Sequence, residues 1–173
     1  QKCSACSILY LPENLVDFIR DQYQTKSNIP LHEPVFSGNE KKYVIESLNS
    51  TQVSSIGEFV DKFEAKIEAF TKCERAVAVV NGTAALHTSL MLSGLQPGDC
   101  VITQPLTFVA TCNAIAYCGA EPIFIDVDKE TMGLSPEALE IWLADNATVN
   151  KNKSCIRLRD NRPIKVCLPM HTF

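Results

Sequence analysis

No apolar run in this chain approaches the ~20 residues of a membrane-spanning helix. Nor does the start show a basic region followed by an apolar core, so neither a span nor a signal peptide is read. Net charge is −4 with no basic cluster, which argues against a nucleic-acid surface. Glycine is scarce, 7 in 173 residues, and nowhere spaced as G-x-G-x-x-G, G-x-x-x-x-G-K-[ST] or G-x-S-x-G. Dinucleotide, P-loop and nucleophile-elbow readings therefore have no motif to stand on. The three histidines, His32, His87 and His171, share no metal-ligand spacing, and no metal is expected. Repeats and low-complexity tracts are lacking. What is left is a chain of globular composition, long enough for an ordinary core and expected in the cytoplasm.

Cysteine is the exception to this sparseness, with 8 residues, and four Asn-x-Ser/Thr sequons stand at Asn49, Asn81, Asn146 and Asn152. A secreted, disulfide-linked glycoprotein is one reading of that pair of features. Against it, Cys73, Cys100, Cys112, Cys118 and Cys167 lie in or beside apolar segments, where a free thiol behaves as a small hydrophobe. Cys3-Ser-Ala-Cys6 is a lone C-x-x-C without a second pair, and a glycan on Asn81 would block a tight turn. Buried thiols are the expectation.

The element pattern alternates. Helices are expected over 13–24, from a Ser37–Glu40 capping box to about Leu48, and over 58–70, where Phe59, Val60, Phe63, Ile67 and Phe70 follow helical spacing. The stretch 28–34, with two prolines, reads as extended. Residues 76–80, AVAVV, form an unbroken β-branched run, the pattern of a strand buried on both faces of a parallel sheet. A helix to about Ser93 follows it. Short strands are expected at 100–103, 122–126 and 164–168, with a small-residue helix over 107–117. Ser135-Pro136-Glu137 supplies an N-cap with proline at the first helical position, for a helix to about Leu143. The polar stretch 146–160 reads as an exposed loop. Strands alternating with helices imply right-handed crossovers and a mostly parallel sheet between two helix layers, an α/β/α architecture.

Ligands of such sheets collect at the carboxyl ends of the strands. There Asn81-Gly82-Thr83 turns a strand into a helix whose first N–H groups and positive dipole end would attract a phosphate. Gly82 lets the backbone come close, and Thr83 adds a hydroxyl. An ordinary strand-to-helix turn is the alternative. One crossover further on, Phe108 could stack on a planar heteroaromatic ring or simply pack in the core.

Three segments carry a family resemblance: VVNGTAALHTSL, PGDCVITQPLTFVATCNAIAYCGAEPIFIDVD and VCLPMHTF. Together they resemble the DegT/DnrJ/EryC1/StrS family of sugar aminotransferases, pyridoxal-phosphate (PLP) enzymes of fold type I, like aspartate aminotransferase. IPLHEPVFSGNE and VSSIGEFVDKFE look closest to the branch acting on UDP-linked 4-keto-6-deoxy-N-acetylhexosamine. The match runs from about Ile29 to Phe173. It implies an extension with one helix over 1–28, and the N-terminal part of the PLP-fold large domain over 29–173.

The resemblance implies roles residue by residue. Gly82, Thr83 and the backbone of Ala84 match the cofactor's phosphate-binding turn, and Phe108 matches the aromatic stacked on its ring. Ser54, Ser55 and Gly57 fall in a loop used near the sugar substrate, where Gln52 replaces an aromatic residue frequent among relatives. Asn113 and His171 lie on matching stretches, with packing an equal alternative. The implied reaction transfers an amino group, with glutamate as donor, to a nucleotide-linked keto-sugar, in a homodimer whose sites are completed across the interface. The catalytic lysine and the acid that pairs with the ring nitrogen are expected beyond Phe173, so no catalytic residue is assigned within the chain. A chain that starts on Gln1 and stops just after a strand reads as a fragment. A dehydratase of the same family, with histidine for lysine, and a non-catalytic fragment are the rival readings.

Overall fold

The computed structural model describes residues 13–25, 27 and 34–171. The Cys3/Cys6 pair, His32 and all but the last residue of the 28–34 stretch lie outside them. The chain forms two compact units, 1–59 and 60–173.

In the first unit, α1 spans Glu13–Tyr23 and α2 spans Glu40–Ser50. The expected capping box is not formed. Asn39 is the N-cap of α2, and Glu40 reaches back to accept from the Gly38 N–H at 2.9 Å. The carboxylate thus satisfies a donor just outside the helix, a bond that local spacing had assigned to a longer loop from Ser37.

The second unit opens within α3 (Glu58–Thr71). It continues through α4 (Gly82–Leu92), β1 (Cys100–Thr103), α5 (Val109–Tyr117), β2 (Glu121–Phe124), α6 (Pro136–Asn146), β3 (Ala147–Val149), β4 (Cys155–Arg157) and β5 (Ile164–Cys167). The sheet runs β2-β1-β5, all parallel, with Ile102 opposite Ile123 on one side and Cys167 on the other. As the central strand, β1 is buried along its whole length. Its side chains alternate between two cores. Val101 packs with Leu90, Leu95, Ala114 and Ile115 beneath α4 and α5. Cys100 and Ile102 pack with Ile123 and Ile125 against Leu139, Trp142 and Leu143 of α6. This is the expected α/β/α layering. The Ser135 cap also forms, its hydroxyl accepting from the Ala138 N–H at 3.1 Å with Pro136 as the first helical residue.

Three expectations are corrected. Residues 76–80 do not join the sheet. They run as irregular chain with Val77 80% and Val80 89% exposed. The N–H groups of Ala76 and Ala78 donate to the carboxylates of Glu68 (3.0 Å) and Glu64 (2.7 Å), one turn apart on α3. A β-branched run is a local signal that does not by itself select a ladder, and here α3 supplies the acceptors for two of its N–H groups instead.

The 146–160 stretch is not a loop but an antiparallel hairpin, β3 with β4. Its anchor is Arg157, only 3% exposed, which donates to Glu121 (2.7 Å) and twice to Asp160 (2.9 and 2.5 Å). Arg159 and Arg162 also pair with Glu121. The Arg157 guanidinium holds the Asp160 carboxyl down at about 2 and lowers that of Glu121. Lastly, the thiols are not uniformly buried. Cys100 is, and burial pushes its thiol up, whereas Cys73 and Cys167 are exposed.

Candidate active site

The site grows from the end of the 76–80 segment. Asn81 is extended, and its side-chain oxygen accepts from the Ala84 N–H at 2.9 Å while its carbonyl accepts from Ala85 at 3.1 Å. This starts α4 at Gly82 and uses the third helical N–H. The N–H groups of Gly82 and Thr83 are the first two of the helix, which have no intrahelical acceptor. A Cβ built on Gly82 would meet nothing within 4 Å, so the backbone there opens onto free space.

Gly82 lines a cleft of about 600 Å³. Gly82, Thr83 and Leu86 form one wall, Phe108 and Thr111 a second, and Leu168–Met170 a third. Phe108 sits where the turn after β1 becomes α5. It is extended, its carbonyl accepts from the Thr111 N–H at 3.0 Å, and the residue is 63% exposed. The third wall leaves the carboxyl end of β5. Leu168 donates to the Ile102 carbonyl at 2.7 Å and accepts from the Thr103 hydroxyl at 2.8 Å. The Thr107 hydroxyl lies 2.8 Å from that of Thr111 and 3.1 Å from the Met170 sulfur.

No charged side chain is among these lining residues. The attraction for an anion therefore comes from the positive end of α4 and its two open N–H groups. The walls beyond are apolar and carry one exposed aromatic face. A phosphate monoester attached to a flat ring suits that set. Its phosphate would meet Gly82 and Thr83, and its ring would lie beside Phe108.

Of the residues singled out in the sequence, Gly82, Thr83 and Phe108 thus meet in one cleft. Ala84 does not line it, because its N–H is turned to Asn81. Ser54, Ser55 and Gly57 belong to the first unit. There the Ser54 hydroxyl accepts from the Ile56 N–H at 3.4 Å, and Gly57 is buried against Gln52, whose side chain accepts from the Glu58 N–H at 3.3 Å. Asn113 is half-buried on α5, and His171 is exposed. His87 packs edge-on to Tyr117 with ring centroids 5.7 Å apart. Two residues escaped the sequence reading: Asn81 as the helix cap, for which the Asn-Gly-Thr turn was an available signal, and Gln104, a fully buried polar residue at the end of β1.

The model of the DegT/DnrJ/EryC1/StrS aminotransferase family matches residues 35–152, well over half of the chain. The chain belongs to that family. Among relatives of this DegT/DnrJ/EryC1/StrS chain, GDP-perosamine synthase of Escherichia coli O157:H7 is 42% identical over 132 residues, covering 75% of this chain and 35% of that protein. A family aminotransferase from Brucella abortus superposes with a TM-score of 0.61 at 27% identity, covering 89% of this chain and 35% of that one. A provisionally assigned sugar aminotransferase from Streptococcus pneumoniae, solved in its PLP form, gives 0.56 at 28% identity over 66% of this chain and 29% of its own. The chain spans about a third of the length of these relatives. The fold is thus the fold-type I architecture of PLP-dependent aminotransferases, and PLP is the family's cofactor.

Proposed function

We propose that the whole protein is a PLP-dependent aminotransferase that transfers an amino group, with glutamate as donor, to a nucleotide-linked 4-keto-6-deoxy sugar. The observation that carries this reading is the convergence of the α4 N-terminus and Phe108 on one cleft at the carboxyl ends of β1 and β5. Residues 29–173 are then the N-terminal part of the large domain, preceded by an extension over 1–28. The N–H groups of Gly82 and Thr83 hold the cofactor's phosphate, with the Thr83 hydroxyl as a third donor. The Ala84 N–H joins them only by releasing Asn81. Phe108 orients the ring by stacking, and Leu168, Pro169 and Met170 keep water from its edge. When bound, PLP supplies the electron sink that lets the amino group pass from donor to acceptor. The proton chemistry is assigned to a lysine and an aspartate that follow Phe173 in this scheme, since no lining residue can supply it. Ser54, Ser55 and Gly57 belong to the sugar side, and a homodimer completes the site.

Relatives named for a GDP-linked product favour a GDP carrier over the UDP carrier expected from the 29–64 stretch. All six described cysteines are free thiols, which suits a reducing compartment and supports action in the cytoplasm. The test is to incubate the whole protein with PLP, glutamate and a panel of GDP- and UDP-linked 4-keto-6-deoxy sugars. Formation of 2-oxoglutarate together with a 4-amino sugar is expected. A deoxygenated keto product without amine would reassign it as a dehydratase, and no reaction with any sugar would refute the proposal.

A further inference from the structure

Gln104 stands one residue past β1 and is fully buried, yet it belongs to no ladder and no helix. Its side chain joins three separate segments. Nε2 donates to the Leu106 carbonyl at 3.0 Å and to the Met132 carbonyl at 3.1 Å, while Oε1 accepts from the Met170 N–H at 3.1 Å. Both amide hydrogens and one oxygen lone pair are therefore used inside the protein. Leu106 lies in the short turn that carries Phe108. Met132 closes the turn after β2 in a left-handed conformation, φ 55°. Met170 is part of the wall facing Phe108.

We infer that Gln104 is a positioning residue for the cofactor ring: one buried amide sets the gap between Phe108 and the Pro169–Met170 wall. The inference rests on reading the cleft as the PLP site. Thr107 adds a second tie across the same gap, through its hydroxyl to the Met170 sulfur. The opposite end of the cleft is built independently. Gly82 and Thr83 are placed by the Asn81 cap of α4, which shares no hydrogen bond with Gln104. Gln104 therefore acts on the ring end and leaves the phosphate end alone. That separation distinguishes positioning from general stabilisation.

The test uses the whole protein and two probes: 4′-deoxypyridoxine 5′-phosphate, which has ring and phosphate but no aldehyde to bond covalently, and inorganic phosphate. In Gln104→Leu, which keeps the volume and removes all three bonds, the Kd of the ring-bearing probe should rise about tenfold, the scale of one unpaired buried polar group. The Kd of inorganic phosphate should stay within about twofold, inside the spread of a non-contacting substitution. Equal weakening of both probes, or of neither, overturns the inference. Should Gln104→Leu fail to fold, Thr107→Val is measured in its place. It must show the same ring-selective loss at about threefold, roughly one hydroxyl contact, and an unselective or absent change there overturns the inference as well. A wild-type protein that binds phosphate but not the ring-bearing probe would overturn the PLP reading itself.

Discussion

Gly82→Ala separates the stability of the cup from its function, because the two are expected to move in opposite directions. The residue opens α4, its φ lies outside the left-handed region, and an added Cβ meets nothing within 4 Å. Alanine therefore adopts this backbone without strain and restricts the unfolded chain, which stabilises by about 0.4–1 kcal/mol. With a urea dependence of about 2 kcal/mol/M, the midpoint of the apo-protein should rise by roughly 0.2–0.5 M. The empty space is also the approach to the Gly82 N–H. A phosphate oxygen bonded there must sit about 2.7–2.9 Å from the nitrogen, and a methyl group on the adjacent carbon obstructs that position. Losing one charge-assisted hydrogen bond, worth about 1.5–3 kcal/mol, corresponds to roughly 10- to 150-fold weaker binding. Urea unfolding of the apo-protein and a fluorescence titration with PLP measure the two halves. A Gly82→Ala protein that binds PLP within about twofold of wild type would refute the placement of the phosphate. A lower urea midpoint would refute the claim of an unstrained, open position.

Asn81→Ala removes the α4 cap and should lower apo-protein stability by about 1 kcal/mol, whereas Asn81→Ser should retain most of it; urea midpoints of the two variants decide. Phe108→Ala deletes an exposed ring, so stability should change by less than about 0.5 kcal/mol. PLP should nevertheless bind about three- to tenfold more weakly for want of stacking; unchanged affinity would return the ring to a packing role. Below neutral pH, the carboxyl of Asp160 stays ionised down to about 2 in the folded protein, against 3.8 ordinarily. Its contribution is fully present above about pH 4 and is lost as pH falls through about 2. Asp160→Asn should flatten the pH dependence of the unfolding midpoint in that window, and an unchanged slope would show that the Arg157 pairing does not contribute there.

Where local chemistry decides the structure, the residues announced it. Ser135-Pro136 carries its own cap and start signal, and the continuous apolar CVIT can only be a strand covered on both faces. Phe108 was legible for the same reason, since it sits where the connection from β1 into α5 must turn, and the Gly82-Thr83 turn was legible from its Asn-Gly-Thr sequence although no strand precedes it. Elsewhere the deciding contact lies far along the chain. Residues 76–80 look like a sheet strand until Glu64 and Glu68 take their N–H groups. The polar hairpin 147–157 exists because Arg157 finds Glu121, 36 residues earlier. Gln104 reads as a polar residue ending a strand, and only the fold brings Leu106, Met132 and Met170 around it.

The order β2-β1-β5 has a consequence at the ribosome. The central strand can pair with β2 almost at once, but its other edge waits for a partner whose contact from Thr103 to Leu168 spans 65 residues. At about 5–20 residues per second, that leaves one side of Val101 and Ile102 uncovered for roughly 3–13 s of synthesis. During that interval, while the Arg157 hairpin is still being made, the nascent chain offers an apolar strand edge to chaperones or to neighbouring chains.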